Sequence, residues 1–212
     1  MSPEARQLRN TGILFGLISA ATFGTSGTFA KSLLHQGWSP AAIVTLRITG
    51  AALILAIPAL YAIRGRWHLL RRNLPHAAAY GIVAVAGCQL AYFYAVQRLS
   101  VGVALMLEYL GIVFVVAWNW AMHGRKPNWL IAAGMGLSIL GLALVLDVFG
   151  GVKLDLLGVV FGLLAAVGLA VYFVTAGSSH EDALPGITLA GVGLGLGALT
   201  LWVAMAVGLV PW

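Results

Sequence analysis

The chain has 212 residues, of which 61% are hydrophobic and only 8% are charged. A soluble domain carries about 25% charged residues, so this composition excludes a water-soluble globular domain and predicts a surface that mostly faces lipid. The net charge of +6 does not indicate nucleic-acid binding, because the basic residues stand in short loops between apolar runs. That distribution is typical of membrane topology.

Seven apolar runs follow one another along the chain, each near the roughly 20 residues that a membrane-crossing helix needs. We place them at about 11–34, 40–63, 75–97, 100–122, 128–149, 154–176 and 185–210. Four prolines stand at or just before the first turn of a run, where proline is tolerated: Pro40, Pro75, Pro127 and Pro185. The predicted fold is an all-α integral membrane protein with seven transmembrane helices, in which short loops make successive helices antiparallel neighbours.

Lysine and arginine are distributed unevenly between the two sides of this predicted bundle. If the N terminus is cytoplasmic, the inner segments hold eight of these residues, whereas the outer segments hold Arg98 and Lys153. Cytoplasmic loops of membrane proteins carry such an excess of positive charge. The sequence therefore predicts a multi-pass protein with a cytoplasmic N terminus.

The first and sixth runs contain an internal repeat. GILFGLISA at 12–20 and GVVFGLLAA at 158–166 are identical at five of nine positions, and Pro40 and Pro185 each open the next run. Five helices per unit would invert the second unit in the membrane, a plan common among secondary transporters. We predict a complete five-helix repeat over 1–150 and the start of an inverted repeat over 151–212. A second five-helix unit would extend past Trp212, so we expect the chain to be a fragment; the alternative is a protein that works with seven spans.

Charged residues within the predicted spans are informative, because a charge at mid-bilayer costs at least about 2.5 kcal/mol. Glu108 lies near the middle of the fourth span, and we expect it to bind a substrate amine, couple to protons, or form a structural ion pair. Arg47, two turns into the second span, needs a partner or water and is expected to be structural or coupling. Lys31, in the last turn of the first span, can extend to the interface along its flexible stem.

The third span carries a polar and aromatic stripe. Gln89, Tyr92 and Phe93 follow the spacing of one helical face, which indicates either the bundle core or a cavity wall. In the first span, Ser26 lies in a G-x-S-G segment that also occurs in intramembrane serine proteases, but every histidine stands in a loop or at a span end. Metalloprotease, clustered Cys/His and phosphate-loop motifs are absent from the sequence. We therefore expect a non-enzyme that uses no catalytic residue, metal or cofactor.

Five segments together resemble the EamA-like branch of the drug/metabolite transporter superfamily. They read SAATFGTSGTFAKSLL, SPAAIVTLRITGAALIL, CQLAYFYAVQRLSVGVALMLEYL, GRKPNWLIAAGMGLSILGLALVLD and LLGVVFGLLAAVGLAVYFV, in the order that the family has them. The resemblance implies a ten-helix plan of two inverted repeats in the plasma (inner) membrane. It implies an exporter of amino acids or other small metabolites, most similar to threonine/homoserine-type exporters, that works by alternating access.

The same resemblance implies which residues line the central cavity. Carried over to this chain, these positions are Phe23, Ser26, Gln89, Tyr92, Phe93, Glu108, Tyr109 and Tyr172. The expected partners are the lipid bilayer and a small-molecule substrate, with protons as a candidate coupling ion and a homodimer as a candidate assembly. Phe23 replaces the tryptophan usual in the family, and Gly111-Ile112 replaces a usual proline. The alternative function is a non-transporting, truncated paralogue with a structural or regulatory role.

Overall fold

The computed structural model describes residues 3–124, 126–145, 155–177 and 184–212. The regular structure in these ranges is entirely helical. In chain order the helices are α1 (Pro3–His35), α2 (Pro40–Ile63), α3 (Trp67–Arg72), α4 (Leu74–Ala79), a π-helix (Tyr80–Gly87), α5 (Cys88–Arg98), α6 (Val101–His123), α7 (Trp129–Val145), α8 (Leu156–Ala176) and α9 (Gly186–Ala206).

Five helical segments of the described residues are long and apolar enough to cross a membrane. They are α2, the continuous segment Leu74–Arg98, Val101–Met122, α8 and α9. The apolar stretches in α1 and α7, Asn10–Ser19 and Trp129–Leu144, are shorter. The end of the predicted fifth span, at 146–149, lies outside the described residues. The protein is therefore an all-helical integral membrane protein with five candidate spans, and the arrangement of seven spans in repeats stays a prediction.

Hydrogen bonds between distant residues show how the helices run. Along α2 and α9, the Thr188 hydroxyl donates to the Ala59 carbonyl (3.2 Å), and the Trp202 indole donates to the Thr49 hydroxyl (3.0 Å). These pairs run in opposite directions along the two helices, so α2 and α9 are antiparallel. Segment Leu74–Arg98 is likewise antiparallel to α8, because Arg98 pairs with Asp155 at 3.0 Å at one end. At the other end His76 lies 3.4 Å from the Thr175 carbonyl.

Small residues of α8 allow it to pack closely between α5 and α6. A Cβ atom on Gly158 would lie 2.8 Å from Leu99 Cγ, and one on Gly162 would lie 2.7 Å from Leu107 Cδ1. Glycine lets helices approach in lipid, where no hydrophobic effect drives them together. The equivalent glycines of the repeat in α1, Gly12 and Gly16, have no described heavy atom within 4 Å of that position. The two GxxxG segments therefore match in sequence and differ in packing.

The third predicted span contains a feature that the sequence analysis did not predict. Its middle, Tyr80–Gly87, is a π-helix, which is wider than an α-helix and changes the direction in which the following side chains point. The backbone of Gly81 touches that of Gly193 in α9, and a Cβ atom on Gly197 would lie 2.7 Å from the Gly81 carbonyl oxygen. These glycines let α9 pack directly against the backbone of the π-helix. The π-helix then continues into the buried start of α5.

Helix starts are capped by side chains that accept hydrogen bonds from free backbone N–H groups. Ser100 caps α6 and Asp155 caps α8. The hydrogen bond from the Gly158 N–H lowers the pKa of the exposed Asp155 carboxyl below its ordinary value, and the hydrogen bond from Arg98 lowers it further. The cap is therefore ionised at neutral pH. Its contribution to stability is lost only in acid, as the pH falls through that lowered pKa.

Replacing Ser39 with alanine is expected to destabilise the start of α2. The Ser39 hydroxyl accepts a hydrogen bond from the Ala42 N–H (3.0 Å) and donates one to the Pro211 carbonyl (2.8 Å). Loss of a serine cap lowers the free energy of unfolding by about 1 kcal/mol. Thermal unfolding of the detergent-purified protein measures the change, and Ser39→Thr, which keeps the hydroxyl, is the control. A Ser39→Ala protein as stable as wild type would contradict this role.

Candidate functional site

Glu108 is the centre of the polar interior. It lies in α6 and is 4% exposed. Its Oε1 atom lies 3.6 Å from the Cys88 Sγ atom, a long hydrogen bond in which the thiol donates. Its Oε2 atom is buried and accepts no hydrogen bond from the part of the chain that the structure describes. A buried carboxylate oxygen without a donor costs free energy, so it calls for a ligand, a proton or water.

Cys88 is held beside Glu108 by the packing of α8. The Sγ atom also lies 3.2 Å from the Ala165 carbonyl oxygen, so its single proton has two acceptors. A Cβ atom on Gly168 would lie 2.6 Å from the Cys88 Cβ atom, so only glycine leaves room for the side chain at this point. The thiol therefore donates weakly to the carboxylate and leaves one of its two oxygens unsatisfied.

Two aromatic residues of α5, Tyr92 and Phe93, lie in the same interior as Glu108, and Arg47 of α2 approaches one of them. Both rings are buried, and the Arg47 guanidinium carbon lies 5.7 Å from the centre of the Phe93 ring. This distance is within the roughly 6 Å range of a cation–π interaction. Arg47 and Glu108 lie near enough to each other for their opposite charges to attract. The site thus contains one positive and one negative group.

Gln89 contributes a second buried acceptor. Its Oε1 atom has no hydrogen-bond donor among the described residues. Gln89 precedes Tyr92 and Phe93 by three and four residues in α5, so it lies on the same helical face. An amide oxygen left without a donor in the interior costs about 1–3 kcal/mol. Gln89 and Glu108 thus each contribute one buried acceptor oxygen without a donor among the described residues.

A cavity of about 420 Å³ lies between α1 and α2. Arg47 and Ser26 are its polar wall residues, and the Phe93 ring of α5 forms part of the same wall. The remaining wall is apolar and is made by Phe29, Ala30, Leu33, Trp38, Ile43 and Leu46. The guanidinium therefore stands at the wall of a mostly apolar space that is large enough for a small organic molecule.

The other predicted site residues lie outside this group. The Lys31 ammonium donates to the carbonyl of Leu99 (2.8 Å), which caps the C-terminal end of α5. Tyr109 is half-exposed and lines a second cavity, of about 560 Å³, between α6 and α7. The Tyr172 ring lies 5.4 Å from the ring of Tyr80. The side chain of Phe23 lies outside the described residues.

Sequence reasoning missed three residues that shape the site. Cys88 was not predicted as a site residue, although it precedes Gln89 and lies four residues before Tyr92. Gly168 makes room for Cys88, and a Cβ atom on Gly27 would lie 2.7 Å from the Tyr92 hydroxyl oxygen. The helical spacing of Cys88 was a usable signal, whereas no local signal marks the two glycines. Among the described residues no three Cys, His, Asp or Glu side chains come together to hold a metal.

A buried carboxylate, a buried amide oxygen and a guanidinium at a cavity wall define a polytopic membrane protein with a polar site inside its helical bundle. Charged residues in this position commonly mark substrate or ion pathways. Residues 10–147 match the EamA-like transporter family. This match covers more than half of the chain, and the chain belongs to that family, whose members are transporters rather than enzymes.

One curated relative is the quaternary ammonium compound-resistance protein QacF of Klebsiella aerogenes. The two sequences are 38% identical over 68 residues, which are 30% of this chain and 62% of the relative. The chain thus spans less than two thirds of that relative's length. No solved structure matches the chain.

Proposed function

We propose that the protein is a secondary transporter that exports amino acids or related small metabolites across the plasma membrane by alternating access. One observation carries the proposal: Glu108 is buried in the bundle of an EamA-like family member, with one oxygen that accepts no hydrogen bond from the described residues. A threonine/homoserine-type substrate and a cytoplasmic N terminus belong to the same proposal. The name of the relative QacF supports a substrate with a positively charged nitrogen.

Glu108 would have two roles in this function. Its ionised carboxylate accepts hydrogen bonds from a substrate ammonium, and Gln89 supplies a second acceptor. A proton on the same carboxylate removes the negative charge and competes with the ammonium. Proton and substrate would then occupy the site in turn, and this competition couples the movement of one to the movement of the other. Tyr92 and Ser26 would contribute polar contacts on the side of the cavity between α1 and α2.

The packing of the two proposed repeat units supports a moving bundle. In the proposal, residues 1–150 form the first five-helix repeat and 151–212 begin the second, inverted one, so α1 and α8 are equivalent. Yet α8 is closely packed on α5 and α6, whereas the first half of α1 exposes large side chains such as Phe15 and Leu17. In transporters built from inverted repeats, alternating access moves one repeat against the other, and unequal packing of equivalent helices is compatible with one state of such a cycle.

Reconstitution of the purified full chain into liposomes tests the proposal. Liposomes loaded with unlabelled threonine or homoserine are expected to accumulate the labelled compound by exchange, above the level of protein-free liposomes. An outward proton gradient should then change the rate. If folded protein exchanges neither these nor other amino acids, the transporter proposal fails and a structural or regulatory role is favoured. Cross-linking in the same liposomes would show whether a homodimer is the active assembly.

A further inference from the structure

A short basic segment joins two of the helices that can cross a membrane. The first of them, α2, ends at Ile63, and the next crossing segment begins at Leu74. Residues 64–73, here called the arginine segment, connect them and include the short helix α3. Four exposed arginines stand in this segment: Arg64, Arg66, Arg71 and Arg72. The segment therefore places several positive charges at the point where the chain leaves one span and enters the next.

The backbone of the arginine segment is fixed to the end of the bundle. The Arg66 N–H donates to the Ile63 carbonyl (2.8 Å), and the Leu69 N–H donates to the Arg66 carbonyl (3.0 Å). The Asn73 side-chain amide donates to the Leu69 carbonyl (2.9 Å), and the Leu69 side chain is 8% exposed. Gly65 makes the turn after α2 with a φ of 80°, a conformation that favours glycine. The exposed guanidinium groups therefore start from an anchored backbone.

Three of these arginines have no acidic partner among the side chains that the structure describes. Arg64, Arg66 and Arg71 form no ion pair with any of them, whereas Asp155 pairs with Arg98 at the far end of segment Leu74–Arg98. The other described carboxylate, that of Glu108, is buried inside the bundle. A guanidinium stays charged at every physiological pH. The three positive charges are thus available to an anion from outside the protein.

Exposed apolar side chains stand beside the arginines. Trp67 is 49% exposed and Leu74 is 47% exposed. Tryptophan is enriched at the level of lipid headgroups, where its apolar ring and polar N–H group both find suitable surroundings. A soluble anion would leave these side chains uncovered, whereas a phospholipid carries a phosphate and apolar chains in one molecule. The combination of charge and apolar surface therefore favours a lipid.

We propose that the arginine segment binds the phosphate group of anionic phospholipids through Arg64, Arg66 and Arg71, and that Trp67 packs against the apolar part of the same lipids. Basic residues immediately beside a membrane-crossing helix attract anionic lipids. The uneven distribution of charge between the two sides of a membrane protein is met equally by lysine and by arginine. Arginine in addition forms bidentate, charge-assisted hydrogen bonds with phosphate, and it is the residue used throughout this segment.

Lipid binding by the purified full chain in a nonionic detergent tests the inference without any mutation. The protein is titrated with dioctanoyl phosphatidylglycerol, which is anionic, and with dioctanoyl phosphatidylcholine, which is zwitterionic. Phosphatidylglycerol is expected to bind at least about tenfold more tightly, and salt at about 1 M is expected to remove most of this preference. Equal affinities for the two lipids would overturn the inference. Displacement of the bound lipid by inorganic phosphate at a similar concentration would indicate a site for soluble anions and would also overturn it.

Variants of the arginine segment identify the groups that bind the phosphate. Arg66→Gln and Arg71→Gln are each expected to weaken binding of phosphatidylglycerol about fivefold and to leave that of phosphatidylcholine within about twofold. The double variant Arg66→Lys/Arg71→Lys keeps both charges and is expected to keep a preference for the anionic lipid, which guards against Gln variants that fail to fold. Arg98→Gln, at the far end of segment Leu74–Arg98, is the matched control and should bind both lipids as wild type does. Equal losses in Arg98→Gln and Arg71→Gln would show a general charge effect and overturn the assignment.

Discussion

Replacing Glu108 with glutamine is expected to abolish transport without lowering the amount of protein in the membrane. Glutamine has nearly the same shape and keeps an oxygen next to the Cys88 thiol, so the packing of α5, α6 and α8 is preserved. It removes the negative charge that would bind an ammonium or a proton. A buried charge-assisted hydrogen bond contributes about 1.5–3 kcal/mol, so loss of substrate binding by at least about tenfold is expected. Exchange and proton-driven uptake in liposomes are both measured.

The two assays separate the possible roles of Glu108. If it binds the substrate, both exchange and proton-driven uptake are lost in Glu108→Gln. If it only couples protons, exchange survives and proton-driven uptake is lost. Asp155→Asn is the matched control, because this carboxylate is exposed and asparagine also caps helices well. Unchanged transport in Glu108→Gln would contradict both roles, and a protein that no longer accumulates in the membrane would indicate a structural ion pair.

Replacing Gly162 with leucine is expected to separate α8 from α6 and to destabilise the bundle strongly. A Cβ atom at this position would lie 2.8 Å from the Cβ atom of Leu107, which cannot move without the backbone of α6. Overpacking of a filled interior costs about 1–3 kcal/mol, and a full leucine side chain is at the upper end of this range. Because Leu107 precedes Glu108, the shift also disturbs the polar site. Thermal unfolding in detergent and threonine exchange in liposomes measure the two effects.

The internal repeat provides the control for this substitution. Gly16 is the equivalent residue in α1, and no described heavy atom lies within 4 Å of a Cβ atom built there. Gly16→Leu is therefore expected to leave the unfolding temperature of this chain nearly unchanged. Equal damage from the two substitutions would mean that α1 packs as closely as α8. A stable Gly162→Leu protein would mean that the contact between α6 and α8 is not tight.

Much of the architecture could be predicted from the sequence because membrane insertion depends on local properties. Runs of apolar residues and prolines in first turns are each decided within a few residues. They located the starts of α2, α7, α8 and α9 to within two positions, whereas α1 begins at Pro3, well before the predicted start at 11. The polar centre was also predictable in part, since a carboxylate within an apolar run costs free energy whichever way its helix side is turned. Glu108 was singled out for this reason, and Gln89, Tyr92 and Phe93 were singled out by their spacing along one helical face. The structure buries Glu108, Tyr92, Phe93 and the Gln89 Oε1 atom, and their role in binding a substrate stays a prediction.

Only the tertiary structure decided how these helices face one another. The π-helix at Tyr80–Gly87 packs through Gly81 on Gly193, and these two residues are more than 100 positions apart in the chain. The contact between Cys88, which follows the π-helix, and Glu108 of α6 is a pairing that no spacing in the sequence predicts. The contact between the rings of Tyr80 and Tyr172 likewise joins two distant helices. Hydropathy determines where a helix crosses the bilayer, but the rotation of each helix about its axis depends on contacts with distant residues.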